Sequence, residues 1–239
     1  MPAVFFCVPL RVRIAVSFSR TMIQVQPFFA VPFGFAQLED CAPLNAALRS
    51  LLLQRASEGP RYANPRPLTQ RNDQVFESEF QLFRATEAPI QQLKQFCWSS
   101  LLGLIAELNK YDEPTMRRLL IHSDSWFHVT RRGGFFGLHN HPNASWSGVY
   151  CVSAGEHDAD RPDSGLLSFL NPATMSTMHS DAANANMRGA FGSGIRHVKF
   201  APGQLVLFPS WVLHDVKPFE GEGERITIAF NCWFGMKEG

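Results

Sequence analysis

Residues 133–150 read GGFFGLHNHPNASWSGVY. A Gly- and Phe-rich run leads into His139-Asn140-His141, and a β-like segment follows. Side chains alternate along a strand, so residues 139 and 141 are expected on one face, a few ångströms apart. Two of the chain's eight histidines then form a two-point chelate. The plainer alternative is a pair of polar residues on the wet face of a sheet.

From about residue 120 the hydrophobic pattern has period two. SDSWFHVTRR, HNHPNASWSGVYCVS, SGLLSFLNP, HVKFAPGQLVLFPSWVLHDV and ERITIAFNCWF are β-rich and separated by turn residues. The second half therefore reads as an antiparallel sandwich or barrel. A metal needs at least a third ligand, and His214, closing the apolar run of GQLVLFPSWVLHDV, is best placed to supply it. Three imidazoles suit Fe, Zn, Cu or Ni better than Mg or Ca. The other histidines compete poorly: His122 and His128 on an earlier strand, His157 and His179 in polar loops, His197 at a strand start.

Arg225 follows His214 by eleven residues, across the turn KPFEGEGE, and opens the alternating strand RITIAF. If that strand pairs with the one bearing His214, Arg225 and Thr227 share one face while Ile226, Ile228 and Phe230 share the other. A guanidinium entering a barrel requires an anion, because a buried unpaired charge is costly. A carboxylate fits its two parallel N–H donors, and the Thr227 hydroxyl adds a further bond. The competing expectation is an exposed Arg225 paired with Glu222 or Glu224 at the turn.

The first half is different. QVQPFFAVPFGFAQL (residues 24–38) suggests short strands, and Asp40 is placed to cap a helix over residues 42–56, with Leu44, Ala47, Leu48, Leu51 and Leu52 on one stripe. A polar, proline-rich loop over residues 57–75 precedes a second helix over residues 89–111, which Asp112-Glu113-Pro114 breaks. The connections 153–165 and 172–196 are long and polar; loops of that kind are commonly lids or disordered. At 239 residues with 45% hydrophobic content, one domain over 1–239 is expected.

A net charge of +1 gives no electrostatic footprint for nucleic acid or an anionic membrane, so a small-molecule or peptide substrate is expected and a homodimer stays open. Five scattered cysteines without a C-x-x-C pair point to a reducing cytoplasm. Residues 1–20 lack the basic start of a secretory signal, and Arg11 and Arg13 interrupt their apolar region, so cleavage is not expected. No apolar run approaches the roughly 20 residues of a spanning helix, so a soluble protein is expected.

A histidine, a second ligand two residues on, a distal histidine and an arginine about ten residues later make up a layout that resembles the Fe(II)- and 2-oxoglutarate-dependent oxygenases. HNHPNASWSGVYCV with PGQLVLFPSWVLHDVKPFEGEGERITIAFN is most similar to a family of 2-oxoglutarate/Fe(II) oxygenases marked by H-x-H-P-N…SGVY and FPSW-x-x-H…R-x-(S/T)-x-x-F-N. The resemblance covers residues 120–235 and implies a mainly β fold with flanking helices: a double-stranded β-helix core over 120–239, cupin-like, with residues 1–119 supplying N-terminal strands and bracing helices. It implies Fe(II) held by His139, His141 and His214, with Arg225 and Thr227 on the distal carboxylate of the cosubstrate 2-oxoglutarate, and hydroxylation as the chemistry. His141 stands where most of the superfamily carries Asp or Glu. Three neutral imidazoles leave the full +2 charge of the ion, which the 2-oxoglutarate dianion would balance. Cys151 stands where relatives carry a second Tyr. Phe135, Phe136, Trp146 and Trp211 are candidate dry walls, and residues 172–196 a candidate lid.

Two other readings share the pattern. Gly133-x5-His139-x-His141 and Gly203-x5-Pro209-x-Trp211-x2-His214 fit a cupin-type three-histidine metalloprotein that does not use 2-oxoglutarate, although the glutamate of the first cupin motif is absent. A non-catalytic module using the barrel pocket is the third.

Overall fold

A computed structural model describes residues 24–156, 160–173 and 179–237. The segment 1–20, Cys7 and His157 lie outside the described residues, as does part of the 172–196 connection. The chain divides into two units, Met1–Ala30 and Val31–Gly239, and every strand and helix among the described residues belongs to the second.

Among the described residues, ten strands form two antiparallel sheets: β1 (Gly34–Gln37), β2 (Val75–Glu77), β3 (Leu119–Thr130), β4 (Phe136–His139), β5 (Trp146–Ala154), β6 (Leu167–Phe169), β7 (Arg196–Val198), β8 (Gln204–Pro209), β9 (His214–Val216) and β10 (Arg225–Met236). The major sheet has the order β1-β8-β5-β10-β3-β2 and the minor sheet β4-β9-β6-β7. The period-two pattern predicts an antiparallel sandwich or barrel, and the two facing sheets are the double-stranded β-helix that the family resemblance implies.

Alternation along the central strands explains why the major sheet is covered on one side and hollow on the other. Ile226, Ile228, Phe230 and Cys232 of β10, Tyr150 and Val152 of β5, and Leu205 and Leu207 of β8 face away from the minor sheet into one apolar cluster. Helices α1 (Ala42–Ser57) and α2 (Ala88–Asn109) close that cluster with Leu44, Leu48 and Leu52 and with Ile90, Leu93, Cys97, Leu101 and Ile105. Fully burying side chains of this size stabilises the fold by about 1.5–3 kcal/mol each before entropy is counted. Gly148 of β5 sits under the Phe230 ring, and a β-carbon there would lie 2.2 Å from it. Between the sheets, Cys151, Leu167, Phe169, Val206 and Phe208 fill one end with a second apolar cluster.

Several local expectations are corrected. Asp40 does not cap α1: it sits in the left-handed region at φ 48°, one residue too early, and Cys41 holds the N-cap position without a side-chain bond. Within residues 24–38 only Gly34–Gln37 is a strand. α2 ends at Asn109 with Lys110 in the left-handed region as its C-cap, before the expected break, and Asp112 instead accepts a bond from the Thr115 amide and starts a further helix, α3 (Glu113–Arg118). The loop 57–75 holds one short 3-10 turn, Gly59–Arg61.

Candidate metal centre and cosubstrate pocket

The three sequence-selected histidines come together at the mouth of the barrel, although not as strand alternation would do it. His139 is the last residue of β4, and the chain leaves the sheet before His141, whose amide donates to the Ser210 carbonyl at 2.9 Å. The β4–β9 pairing sets His139 directly opposite His214. Ring centroids are 4.3 Å apart for His139–His214 and 5.1 Å for both His139–His141 and His141–His214. One nitrogen from each lies within 4.8 Å of the other two.

Two backbone carbonyls fix the tautomers. His139 Nδ1 is 2.7 Å from the Gly137 carbonyl and His214 Nδ1 is 2.9 Å from the Val212 carbonyl. A carbonyl only accepts, so both Nδ1 atoms carry the proton and both Nε2 lone pairs stay free. Burial, followed by the neighbouring imidazoles, holds His141 and His214 down to about 3, and burial also lowers His139. The set is neutral and donor-ready at pH 7, which fits a borderline-soft divalent cation.

Arg225 shares the same cavity, whose volume is about 500 Å³. It is only 4% exposed, and among the described residues no carboxylate pairs with it. The expected competitors are engaged elsewhere: Glu224 binds Arg49 and Glu222 binds Arg132, each at 2.7 Å. Burial lowers the Arg225 pKa. Gly165, with φ +63°, makes room for the side chain, since a β-carbon there would stand 3.1 Å from Arg225 Cδ. Thr227, 1% exposed, faces the cavity one step along β10.

The strand of Arg225 does not pair with that of His214. β10 lies between β3 and β5 in the major sheet and β9 lies in the minor one, so guanidinium and imidazoles face each other across the barrel. Of the proposed dry walls only Phe136 lines the cavity, joined by Trp126, Val149, Leu167 and Val216. Trp146 packs against the helix-side cluster instead. No described residue of the 172–196 connection lines the cavity; residues 66, 68, 69 and 140–144 wall its mouth.

Sequence reasoning passed over His128. The β2–β3–β10–β5 register places Glu77, His128, Thr227 and Cys151 in one row across the sheet. His128 Nε2 is 2.9 Å from Trp126 Nε1 and 3.3 Å from Glu77 Oε2. One ring nitrogen either accepts the indole proton or donates to the carboxylate, so the two contacts alternate. Burial lowers the His128 pKa and keeps the ring neutral. Burial raises that of Glu77, but the His128, Asn64 and Arg71 contacts outweigh it and leave Glu77 ionised below the usual carboxylate range. The alternation in SDSWFHVT, set against that in RITIAFN, held the signal for this row.

The model of a family described as "Putative 2OG-Fe(II) oxygenase" matches residues 124–231. No curated protein matches the chain. Among solved structures, a prolyl-4-hydroxylase from Pseudomonas putida is 17% identical, with 87% of this chain and 94% of that one covered and a TM-score of 0.55. The carbocyclase SnoK of nogalamycin biosynthesis, described as non-haem and alpha-ketoglutarate-dependent, is 10% identical over 88% of this chain and 83% of that one, at 0.57. HygX from Streptomyces hygroscopicus, solved with nickel and 2-oxoglutarate, is 13% identical over 85% and 83%, at 0.51. At these identities the likeness is one of fold.

Proposed function

We propose that the chain, whose residues 124–231 match the model of the 2OG-Fe(II) oxygenase family, is a non-haem Fe(II)- and 2-oxoglutarate-dependent dioxygenase that hydroxylates its substrate. The observation that carries this reading is Arg225: a buried guanidinium that meets no carboxylate among the described residues, in one cavity with three convergent imidazoles. His139, His141 and His214 would hold the iron. With 2-oxoglutarate and O₂, iron supplies the oxidation that converts a C–H bond to C–OH while the keto acid becomes succinate and CO₂.

The chain's own residues bind, orient and exclude water. Arg225 offers two parallel donors to the distal carboxylate of the cosubstrate, and Thr227 a hydroxyl beside it. Phe136, Val149, Leu167 and Val216 keep the space between them apolar, which strengthens that ion pair. His141 brings no charge where a carboxylate would bring one, so the bound dianion carries the whole counter-charge. The cupin-type reading keeps the imidazoles but leaves a buried, unpaired Arg225 unexplained.

Net charge +1 supports a small-molecule or peptide substrate over nucleic acid. Among the described residues Cys41, Cys97, Cys151 and Cys232 are free thiols, which supports a reducing, cytoplasmic setting. No helix among the described residues is long and apolar enough to cross a membrane.

Calorimetric titration of 2-oxoglutarate into Ni(II)-loaded protein tests the reading. Saturable, metal-dependent binding is expected, together with O₂-dependent succinate release after loading with Fe(II). A metal-loaded protein that ignores 2-oxoglutarate sinks it.

A further inference from the structure

The inward face of the major sheet works as a ruler. On β10 the cavity-lining residues are Arg225, Thr227, Ala229, Asn231 and Trp233, and on β3 the partners of Thr227, Ala229 and Asn231 are His128, Trp126 and Asp124. Successive rows are about 7 Å apart, two residues of antiparallel strand. The Trp126 ring is 5.8 Å from the His141 ring, so the Trp126–Ala229 row is level with the imidazoles. Arg225 lies two rows deeper. The Asp124–Asn231 row lies one row further out, on the side of the metal centre away from Arg225, where a substrate must enter.

Asp124 is the unusual member of that outer row. It is partly buried and lines the cavity, yet among the described residues no hydrogen-bond or ion-pair partner meets its carboxylate. The other buried acid of the cavity, Glu77, is satisfied by Asn64, His128 and Arg71. Beside Asp124, the Phe80 and Trp126 rings pack with centroids 4.8 Å apart, and Trp233 is exposed at the rim. Asn231 accepts a bond from Ser147 through Oδ1, which leaves its Nδ2 donors toward the cavity. A carboxylate that shares a cavity lining with aromatic rings matches a cation, which gains from both the charge and the ring faces.

We propose that Asp124, which lines the cavity together with Phe80 and Trp126, is a subsite for a cationic nitrogen of the substrate, an ammonium group, and that it sets which C–H bond meets the metal. The placement beyond the metal rests on the oxygenase reading; the recognition of a cation does not. With the nitrogen one row out, the reacting carbon lies several bonds from it. Arg66, the other charged residue at the mouth, is exposed and would repel a misplaced cation.

The test needs no turnover. Tryptophan fluorescence of the full-length protein is followed during titration with n-hexylammonium and with 1-hexanol. The ammonium probe should bind at least about tenfold more tightly, and Asp124→Asn should erase the preference while thermal unfolding shows the variant folded. The peptide acetyl-Ala-Lys-Ala-amide against its norleucine analogue forms the second arm. Preference in the first pair alone marks a small amine, and in the second a polypeptide lysine. Equal affinities within both pairs, or a preference that survives in Asp124→Asn, overturns the proposal. 2-Oxoglutarate binding, measured separately on the wild type, fails only if the oxygenase reading fails.

Discussion

One face of β10 lies under the helices, where Ile226, Ile228, Phe230 and Cys232 are all 0% exposed; the other, one residue out of phase, turns Arg225, Thr227, Ala229 and Asn231 toward the cavity. The two faces share a backbone, a register and two neighbouring strands, so the difference between them is side-chain chemistry alone. The first is close-packed and contributes stability through area removed from water. The second holds a guanidinium that lies 5.8 Å from the Phe200 ring centroid but meets no carboxylate among the described residues, which costs stability until a ligand supplies the anion. Folding and binding are thus separated across the thickness of one sheet.

The separation can be broken most severely from the helix side. The Phe230 ring centroid lies 5.0 Å from that of Trp98 and 5.8 Å from that of Phe83. Phe230→Ala should cost about 3–5 kcal/mol, read as a lower midpoint in urea unfolding. The folded fraction should still take up metal, since the missing ring faces away from the imidazoles. Equal loss of metal affinity in the folded fraction would mean that the two faces are coupled.

From the cavity side the expected pattern reverses. Arg225→Met removes a buried charge and keeps much of the volume, so stability should stay within about 1 kcal/mol of wild type or rise. Calorimetric 2-oxoglutarate binding to the Ni(II)-loaded variant should be lost, with metal content unchanged. A large drop in stability without loss of binding would assign Arg225 to the scaffold.

The smallest effect sharpens the edge of the comparison, at Glu77. Its pKa in the folded protein is held below the unfolded value, so its contribution is fully present above the ordinary carboxylate value, about 4.3, and is lost as pH falls through the lower folded one. Stability of the wild type should therefore fall over that acid window, and the fall should be shallower in Glu77→Gln. Parallel pH profiles for the two proteins would remove Glu77 from the account.

Much of this was legible along the chain. The stripe of α1 and α2, the alternation of β5, β8 and β10, and the candidate residues His139, His141, His214, Arg225 and Thr227 were all available from spacing or from motif resemblance. What spacing misjudged was the partner of each strand. Strand alternation predicts His139 and His141 on one strand face, whereas they meet through a turn held by Ser210. A β9–β10 pairing would put Arg225 beside His214 in one sheet, whereas it faces His214 from the opposite one. Spacing gives His128 no role, whereas the sheet register puts it in a row with Glu77 and Thr227.

Periodicity is a local property, fixed by the backbone geometry of each element, so the sequence alone determined which residues share a face, which face is apolar and which side chains have ligand chemistry. Which faces then look at each other depends on pairing between segments distant in the chain, and no local pattern encodes it. Only the tertiary structure decided that three imidazoles line the same cavity as a guanidinium and a carboxylate that meet no opposite charge among the described residues, at different depths.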